Sequence, residues 1–352
     1  MAITNIDIIG CGQHAQQKFI PLAAKYLRHR CRLTALADPN ADVRAQLTAA
    51  HPGAMVSDDP AAVISHPATE LVIIAAPPAA HHALATAALD AGKHVLLEKP
   101  VTATLAEADD LVARAARARG KIMIGHHMRF GRIEGSMLEL FRRGVTGAPH
   151  LVNIVHNYTI ASRAPISGYL QKRASCGGVL YEYFCHEIDF LRLMLESEIA
   201  SLYCRLQSRV YEDDTAALTV EMANGVLVNA VYSAATTDHD LIEVYGPLGK
   251  LYFDRYRTYH ARFEAQAQLK RRSLRPLGAF VDAAYALQLG RYLNYRNVII
   301  AYEHELTYLL DCIAAGRDPR PSPADGRAAL AAVLGAYRSA AEGRAVTGAE
   351  LR

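Results

Sequence analysis

ITNIDIIGCGQHAQQ, residues 3–17, reads as a buried strand running into a glycine turn and then a helix. Ile6, Ile8 and Ile9 supply the strand, and Gly10, Cys11 and Gly12 the turn. Two glycines spaced this way let the backbone reverse tightly and approach a charged ligand closely. A helix opening directly after them turns its unpaired N–H groups and positive dipole end toward a pyrophosphate. Gln13 and His14 open that helix and Ala15 stands where a third glycine often falls, which suits close helix–strand packing. The motif alone is weak, and its weight comes from the residues downstream.

The helix is expected over 16–30, closed by the basic run Arg28–His29–Arg30. A second strand over 32–37 stops at Asp38, about 20 or more residues beyond the glycines. An acid there accepts hydrogen bonds from both ribose hydroxyls of an adenosine and repels a 2′-phosphate, so NAD is expected rather than NADP. The competing reading is that Asp38 only caps the next helix, expected over 41–50. A short strand near 54–56 and a helix from about Asp59 complete a βαβαβ half. Residues 71–75, LVIIA, form a wholly apolar strand, as a central parallel strand must. Pro77 and Pro78 break it and launch a helix over 80–90 that brings His81 toward the cofactor.

The strand at 94–97 ends in Glu98, Lys99 and Pro100. In an open parallel sheet the chemistry lies beyond the carboxyl ends of the strands. Lys99 can polarise a substrate oxygen as a hydride leaves the carbon, and Pro100 holds its backbone extended. A surface lysine neutralising Glu98 is the plainer alternative. Thr104 with Glu107 predicts a capped helix running to 119, and 121–124 a last strand. The expected cofactor contacts are Gly10, Gly12, Gln13, His14, Asp38, Pro77, His81, Glu98 and Lys99.

Beyond Gly125–His126–His127–Met128–Arg129–Phe130 the pattern changes. A helix is expected over 133–143, a half-buried strand over 151–160 and a helix over 179–195. Strands come next at 201–210, 216–222, 226–234, 241–245 and 250–253 with no helices between them, which implies a mostly antiparallel sheet. Asn224–Gly225 predicts a type I′ hairpin. The chain is expected to be helical from about Leu277, with helices over 295–315 and 325–342. The fold class is therefore α/β: a Rossmann dinucleotide-binding domain over 1–125, and over 126–352 an α/β domain with an open, mostly antiparallel sheet.

Glu182, His186 and Asp189 fall at i, i+4 and i+7, on one face of a helix. His186 can exchange a proton near neutrality, and Glu182 or Asp189 can orient its ring or hold a second hydroxyl. The same spacing suits a metal, but no third ligand is visible and none is expected. Neither of the adjacent pairs His81–His82 and His126–His127 can offer two ligands to one site. His127, Arg129, Tyr158, Arg163, Tyr169, Glu182, Tyr183 and Asp189 are expected around a polyhydroxylated substrate. Lys172 and Arg173 are candidates for a phosphate on it.

A net charge of +3 over 352 residues, with basic residues scattered, gives no case for nucleic acid. Six cysteines without CxxC spacing read as reduced thiols of a cytoplasmic protein. No signal peptide is expected before Ile3, and no apolar run reaches the roughly 20 residues of a membrane span.

IIGCGQHA, AAPPAAHHALATAALDAGKHVLLEKP, GHHMRF and GGVLYEYFCHEIDFLR together resemble the glucose–fructose oxidoreductase/inositol dehydrogenase/rhizopine-catabolism (Gfo/Idh/MocA) oxidoreductases over essentially the whole chain. The resemblance implies NAD(P)-dependent oxidation or reduction of a secondary alcohol on a sugar, inositol, aminocyclitol or sugar nucleotide. It implies Lys99 as the lysine contacting the reacting hydroxyl and His186 as the acid/base. It also implies a homodimer or homotetramer through the second sheet and a C-terminal helix, near 325–342, packing back on the first domain. Where many members carry aspartate four residues before the histidine, this chain has Glu182, and His127 and Met128 replace common crossing residues. Two alternatives stay open: a redox-neutral epimerase, hydrolase or eliminase with retained NAD, and a non-catalytic nucleotide sensor.

Overall fold

The computed structural model describes residues 3–159, 168–255, 257–258, 260–266 and 290–352, with side chains throughout except at 169–170 and 290–298. The helix expected from Leu277 and the site residue Arg163 lie outside the described residues, as does the side chain of Tyr169. The chain divides into two compact units, 1–127 with 302–330 and 128–301 with 331–352.

The first unit is built on six parallel strands: β1 Thr4–Ile9, β2 Cys31–Ala37, β3 Met55–Ser57, β4 Leu71–Ile74, β5 His94–Glu98 and β6 Ile122–Gly125. Their order is β3-β2-β1-β4-β5-β6, so the direction of winding reverses between β1 and β4. All four residues of β4 are fully buried, the reason its sequence is apolar without alternation. Asp7 is an exception within β1. Its carboxylate accepts from Thr34 Oγ1, from the Ala35 amide and from Thr69 Oγ1, and so ties β1 to β2 where their register shifts.

The connecting helices are α1 Gln13–Gln17, α2 Ala41–Ala50, α3 Pro60–Ser65, α4 Pro78–Asp90 and α5 Leu105–Ala115. The starts of α2, α3 and α5 carry side-chain caps, as the sequence implies. Asn40 Oδ1 accepts from the Asp42 and Val43 amides, Asp59 caps α3, and Thr104 and Glu107 form a capping box on α5. The continuous helix expected over 16–30 is instead broken. After α1 come a short turn, Phe19–Pro21, and a π turn, Leu22–Tyr26, closed by the Leu27 amide on the Leu22 carbonyl at 2.8 Å. Pro21 has no N–H to continue the ladder, and the wider turn absorbs the lost rung.

In the second unit α6 Arg132–Arg142 precedes β7 Leu151–Thr159. A π turn, Leu180–Phe184, leads into α7 Cys185–Leu195. The sheet continues with β8 Ile199–Gln207, β9 Thr215–Met222, β10 Leu227–Ser233, β11 Ala235–Gly246, β12 Gly249–Asp254, β13 Arg262–Ala265 and β14 Val346–Thr347. Its order is β13-β12-β11-β7-β10-β9-β8-β14, antiparallel except where β10 runs parallel to β7. Two strands, β13 and β14, are too short to show a pattern in sequence. The Asn224–Gly225 turn is not type I′: only Gly225 has positive φ (84°), and its amide donates to the Met222 carbonyl at 2.8 Å. That is a three-residue connection with its left-handed position on glycine.

One face of this sheet is buried by Val228, Ala230 and Tyr232 on β10, while Leu227 and Val231 on the other face stay 48% and 41% exposed. Helices α8 Gly290–Ala314 and α9 Pro323–Glu342 are each shared by the two units, which divide at 301/302 and 330/331. No helix among the described residues is long and apolar enough to cross a membrane.

Candidate active site

Gly10 takes φ +85°, and a Cβ there would lie 2.5 Å from the Ala76 nitrogen. The glycine is thus required twice, for the turn and for the close approach of the β4 exit. An added Cβ at Gly12 would meet nothing within 4 Å, leaving the start of α1 open on the side a pyrophosphate must approach. The Cys11 amide donates to Asp38 Oδ2 at 2.8 Å, and the Asn40 amide donates to Asp38 Oδ1 at 2.9 Å. Asp38 does not cap α2, since Asn40 does. It links the glycine turn to the end of β2 and keeps its carboxylate largely buried there. Arg44 Nη1 donates to the Asp38 and Pro39 carbonyls at 3.0 and 2.8 Å. These residues fit NAD.

At the mouth of β5, Glu98 is 6% exposed. Its Oε1 lies 3.2 Å from His14 Nε2, and the Lys99 amide donates to Oε2 at 3.1 Å. Gly125 sits flat against it, for a Cβ there would come 3.0 Å from Oε1. Burial alone would push the Glu98 carboxyl up, but His14, Lys99 and His127 reverse this and bring it down to about 2. Lys99 is half-buried behind a cis peptide to Pro100. Gln13 and Pro77 are exposed at the helix starts.

His81, expected near the cofactor, faces backbone on both sides of its ring. It is fully buried, with Nδ1 2.8 Å from the Pro100 carbonyl and Nε2 2.8 Å from the Ala76 carbonyl. Each ring nitrogen faces a backbone carbonyl, and a neutral ring donates to one of the two, so His81 sits between two loops, packed against backbone. Burial holds its pKa below the usual histidine value.

The same unit carries groups the sequence did not single out. Tyr302 of α8 stacks on His127 at 4.6 Å, meets His14 edge-on at 5.5 Å and has the Lys18 Nζ 5.9 Å from its ring centre. One turn further, Glu305 is fully buried and neither carboxyl oxygen has a hydrogen-bond partner among the described residues. Burial, with Glu98 adding to it, raises its pKa well above the carboxylate range. In sequence Glu305 is one of three consecutive polar residues, Glu303–His304–Glu305, and nothing local marks it as buried.

In the second unit His186 is 5% exposed near the start of α7. Glu182 precedes α7 on the π turn, so the expected i, i+4, i+7 stripe is not a single α-helical face. Glu182 Oε2 accepts from Tyr158 at 3.1 Å, and Tyr158 shares a 2.9 Å hydrogen bond with Tyr211. Asp189 accepts a two-pronged bond from Arg129 at 2.7 and 2.6 Å, with both groups buried. Two expected substrate ligands are thereby committed to one another. Tyr183 packs its ring on His156 at 4.1 Å and near Tyr158 at 5.3 Å.

Arg173, a candidate for a substrate phosphate, instead grips Asp213 with two bonds of 2.6 and 2.8 Å and lies over the Tyr337 ring at 4.6 Å. Tyr337 donates to the Gly177 carbonyl, and Gly178 takes φ +88°, which together set the start of the π turn. Among the described residues no group of three or more His, Cys, Asp or Glu side chains is arranged to hold a metal ion.

A parallel sheet in this order, with a glycine turn after β1 and an acid at the end of β2, defines a dinucleotide-binding Rossmann domain. Residues 4–126 match the oxidoreductase family with an NAD-binding Rossmann fold, and residues 136–252 match the GFO/IDH/MocA C-terminal domain. The chain belongs to the Gfo/Idh/MocA family and is an NAD-dependent oxidoreductase. It is 26% identical to a myo-inositol 2-dehydrogenase from Thermotoga maritima over 82% of each chain. It is 28% identical to inositol 2-dehydrogenase 1 from Saccharopolyspora erythraea, covering 82% of this chain and 80% of that one. Among solved structures, a scyllo-inositol dehydrogenase from Lactobacillus casei with bound NAD(H) and scyllo-inositol superposes with a TM-score of 0.79. That likeness covers 99% of this chain and 100% of the other at 19% identity.

Proposed function

We propose that this chain oxidises a secondary alcohol of a sugar or cyclitol to the ketone. The observation that carries the reading is the first unit's combination of an open glycine turn tied to Asp38 with Lys99 at the mouth of β5, beside an ionised Glu98. NAD supplies the hydride acceptor when bound. Gly10 and Gly12 would admit its pyrophosphate, and Asp38 would hold the adenosine ribose. The hydrogen on the substrate carbon would leave as hydride to that acceptor while the hydroxyl proton goes to the His186 imidazole, and the Lys99 ammonium would stabilise the oxygen while charge builds on it. Glu182, held by Tyr158, and Tyr183 bind further hydroxyls. The inositol dehydrogenases among its relatives support a ring substrate.

We assign the first domain to about 1–127 and the substrate domain to the greater part of the remaining chain. The exposed Leu227 and Val231 support self-association through the open face of the second sheet. Six cysteines without a disulfide support a reducing, cytoplasmic setting.

The test is absorbance at 340 nm with purified protein, NAD and a panel of sugars, inositols, aminocyclitols and sugar nucleotides, against a Lys99→Ala/His186→Ala blank. A sustained rise with one compound, absent in the blank, is the expected result. If no compound gives a sustained rise while the protein retains NAD(H) and isomerised or cleaved product appears, net oxidation is wrong and a redox-neutral cycle replaces it.

A further inference from the structure

The segment carrying His186 is gripped by one strand at two points. Alternate residues of a strand share a face, and β7 sends His156 and Tyr158 from the same face. Tyr158 donates to Glu182 Oε2 at 3.1 Å, and His156 Nδ1 lies 2.8 Å from Glu187 Oε1. The two carboxylates stand four residues before His186 and one residue after it. Such a grip has a geometric purpose here. The π turn ends at Phe184, two residues before His186, so the regular α-helical ladder does not by itself set the direction in which His186 leaves the helix.

Behind His156 the chain of charges continues across the sheet. Its Nε2 faces Asp240 Oδ2 at 3.8 Å, and Asp240 is its partner in the β11–β7 register. Asp240 accepts from Arg255 at 2.6 Å, and Arg255 donates to Glu134 of α6 at 2.5 Å. On the other side Tyr232 of β10 is opposite His156 in register, and the Tyr183 ring covers the imidazole. Glu187 Oε2 and the Tyr232 hydroxyl are both buried, and each has no hydrogen-bond partner among the described residues. Burying five ionisable groups this way adds little to stability over apolar side chains of the same volume, but it fixes one arrangement.

We propose that His156 and Glu187 are positioning residues for His186: anchored through Asp240, Arg255 and Glu134, they hold the helix so that the His186 imidazole stays in one orientation. The proposal rests on the reading of His186 as the proton acceptor. Displacing a reacting group by about 1 Å costs on the order of a hundredfold in rate, so loss of the pair is expected to act on turnover more than on cofactor binding.

The test uses four full-length proteins: wild type, His186→Ala, the double variant His156→Leu/Glu187→Leu and the conservative His156→Gln. The double variant removes both charges together and so avoids stranding one of them. Its folding is checked by circular dichroism and thermal melting. Histidine-ring NMR, with the His186 signal assigned by its loss in His186→Ala, needs no substrate. The expected result is a displaced or broadened His186 signal in the double variant that returns toward its wild-type position in His156→Gln. With the panel compound that turns over, kcat should fall about tenfold to a hundredfold in the double variant with the KM for NAD unchanged, and should recover largely in His156→Gln. If the double variant does not fold, His156→Asn and Glu187→Gln take its place in both measurements. An unmoved His186 signal together with a wild-type kcat overturns the positioning role even when His186→Ala is inactive. A His186→Ala protein with wild-type turnover overturns the reading beneath it instead.

Discussion

In the first unit the charged groups gather at strand ends, where Glu98, Lys99 and His14 surround the mouth of β5 and Asp38 closes the end of β2. In the second they lie flat between a helix and a sheet, running from Glu134 through Arg255, Asp240 and His156 to Glu187. The difference comes from the sheets. A parallel sheet covered on both faces leaves its carboxyl edge as the place for polar groups. A mixed sheet with one packed face can hold them beneath the helix, provided each finds a partner. On the proposed reading, the first arrangement presents groups outward to ligands, whereas the second fixes the element that carries His186.

The largest expected effect tests whether both arrangements serve one reaction. Lys99→Ala and His186→Ala should each lower kcat by about 10²–10⁴-fold. If either retains the wild-type rate, the chemistry belongs to the other unit alone. Next comes backbone geometry, which only the first unit's turn depends on so sharply. Gly10→Ala must place a Cβ 2.5 Å from backbone at φ +85°. It should destabilise by about 2 kcal/mol or more in urea unfolding, with NAD binding lost in parallel.

The pH dependence should separate the two clusters by sign. Glu98 is held down at about 2, so its contribution is fully present above the ordinary carboxyl value and is lost as pH falls toward 2. Burial pushes the His156 pKa down, but Asp240 and Glu187 outweigh it and hold it above the usual value. Its contribution is therefore present below about 6.5 and lost as pH rises through the raised value. Denaturant melts across pH should show Glu98→Gln flattening the acid limb and His156→Gln the alkaline one. A shared limb for both variants would erase the contrast. The smallest effect is at α5. Thr104→Ala should cost about 1 kcal/mol through its cap, with kcat unchanged, and a change in turnover would show that α5 reaches the chemistry.

Much of this is legible in the amino-acid order because it depends on residues close together along the chain. The strand–glycine–helix turn, Asp38, the wholly apolar β4, the Thr104–Glu107 cap and the Glu98–Lys99–Pro100 strand end are local patterns. Each is recognised by spacing and by the chemistry of its own residues. The helix expected over 16–30 runs through Pro21, a local signal of the break though not of its π geometry. The true partners of Arg129, Arg173 and His81 are hidden, since a sequence shows that a side chain can donate but not whether a buried acceptor already claims it.

By itself, then, the amino-acid order determined the parallel Rossmann half, the acid at the end of its second strand and the residue types able to exchange a proton and polarise an oxygen. Tertiary structure alone decided which charges are spent inside the protein and which remain for ligands. It paired Asp189 with Arg129, set the His81 ring between two backbone carbonyls and brought His156 of β7 under Glu187. The physical reason is distance along the chain. Periodicity reports which face a residue occupies, whereas pairing across 31 residues of sequence, as for His156 and Glu187, is settled only when helix and sheet pack.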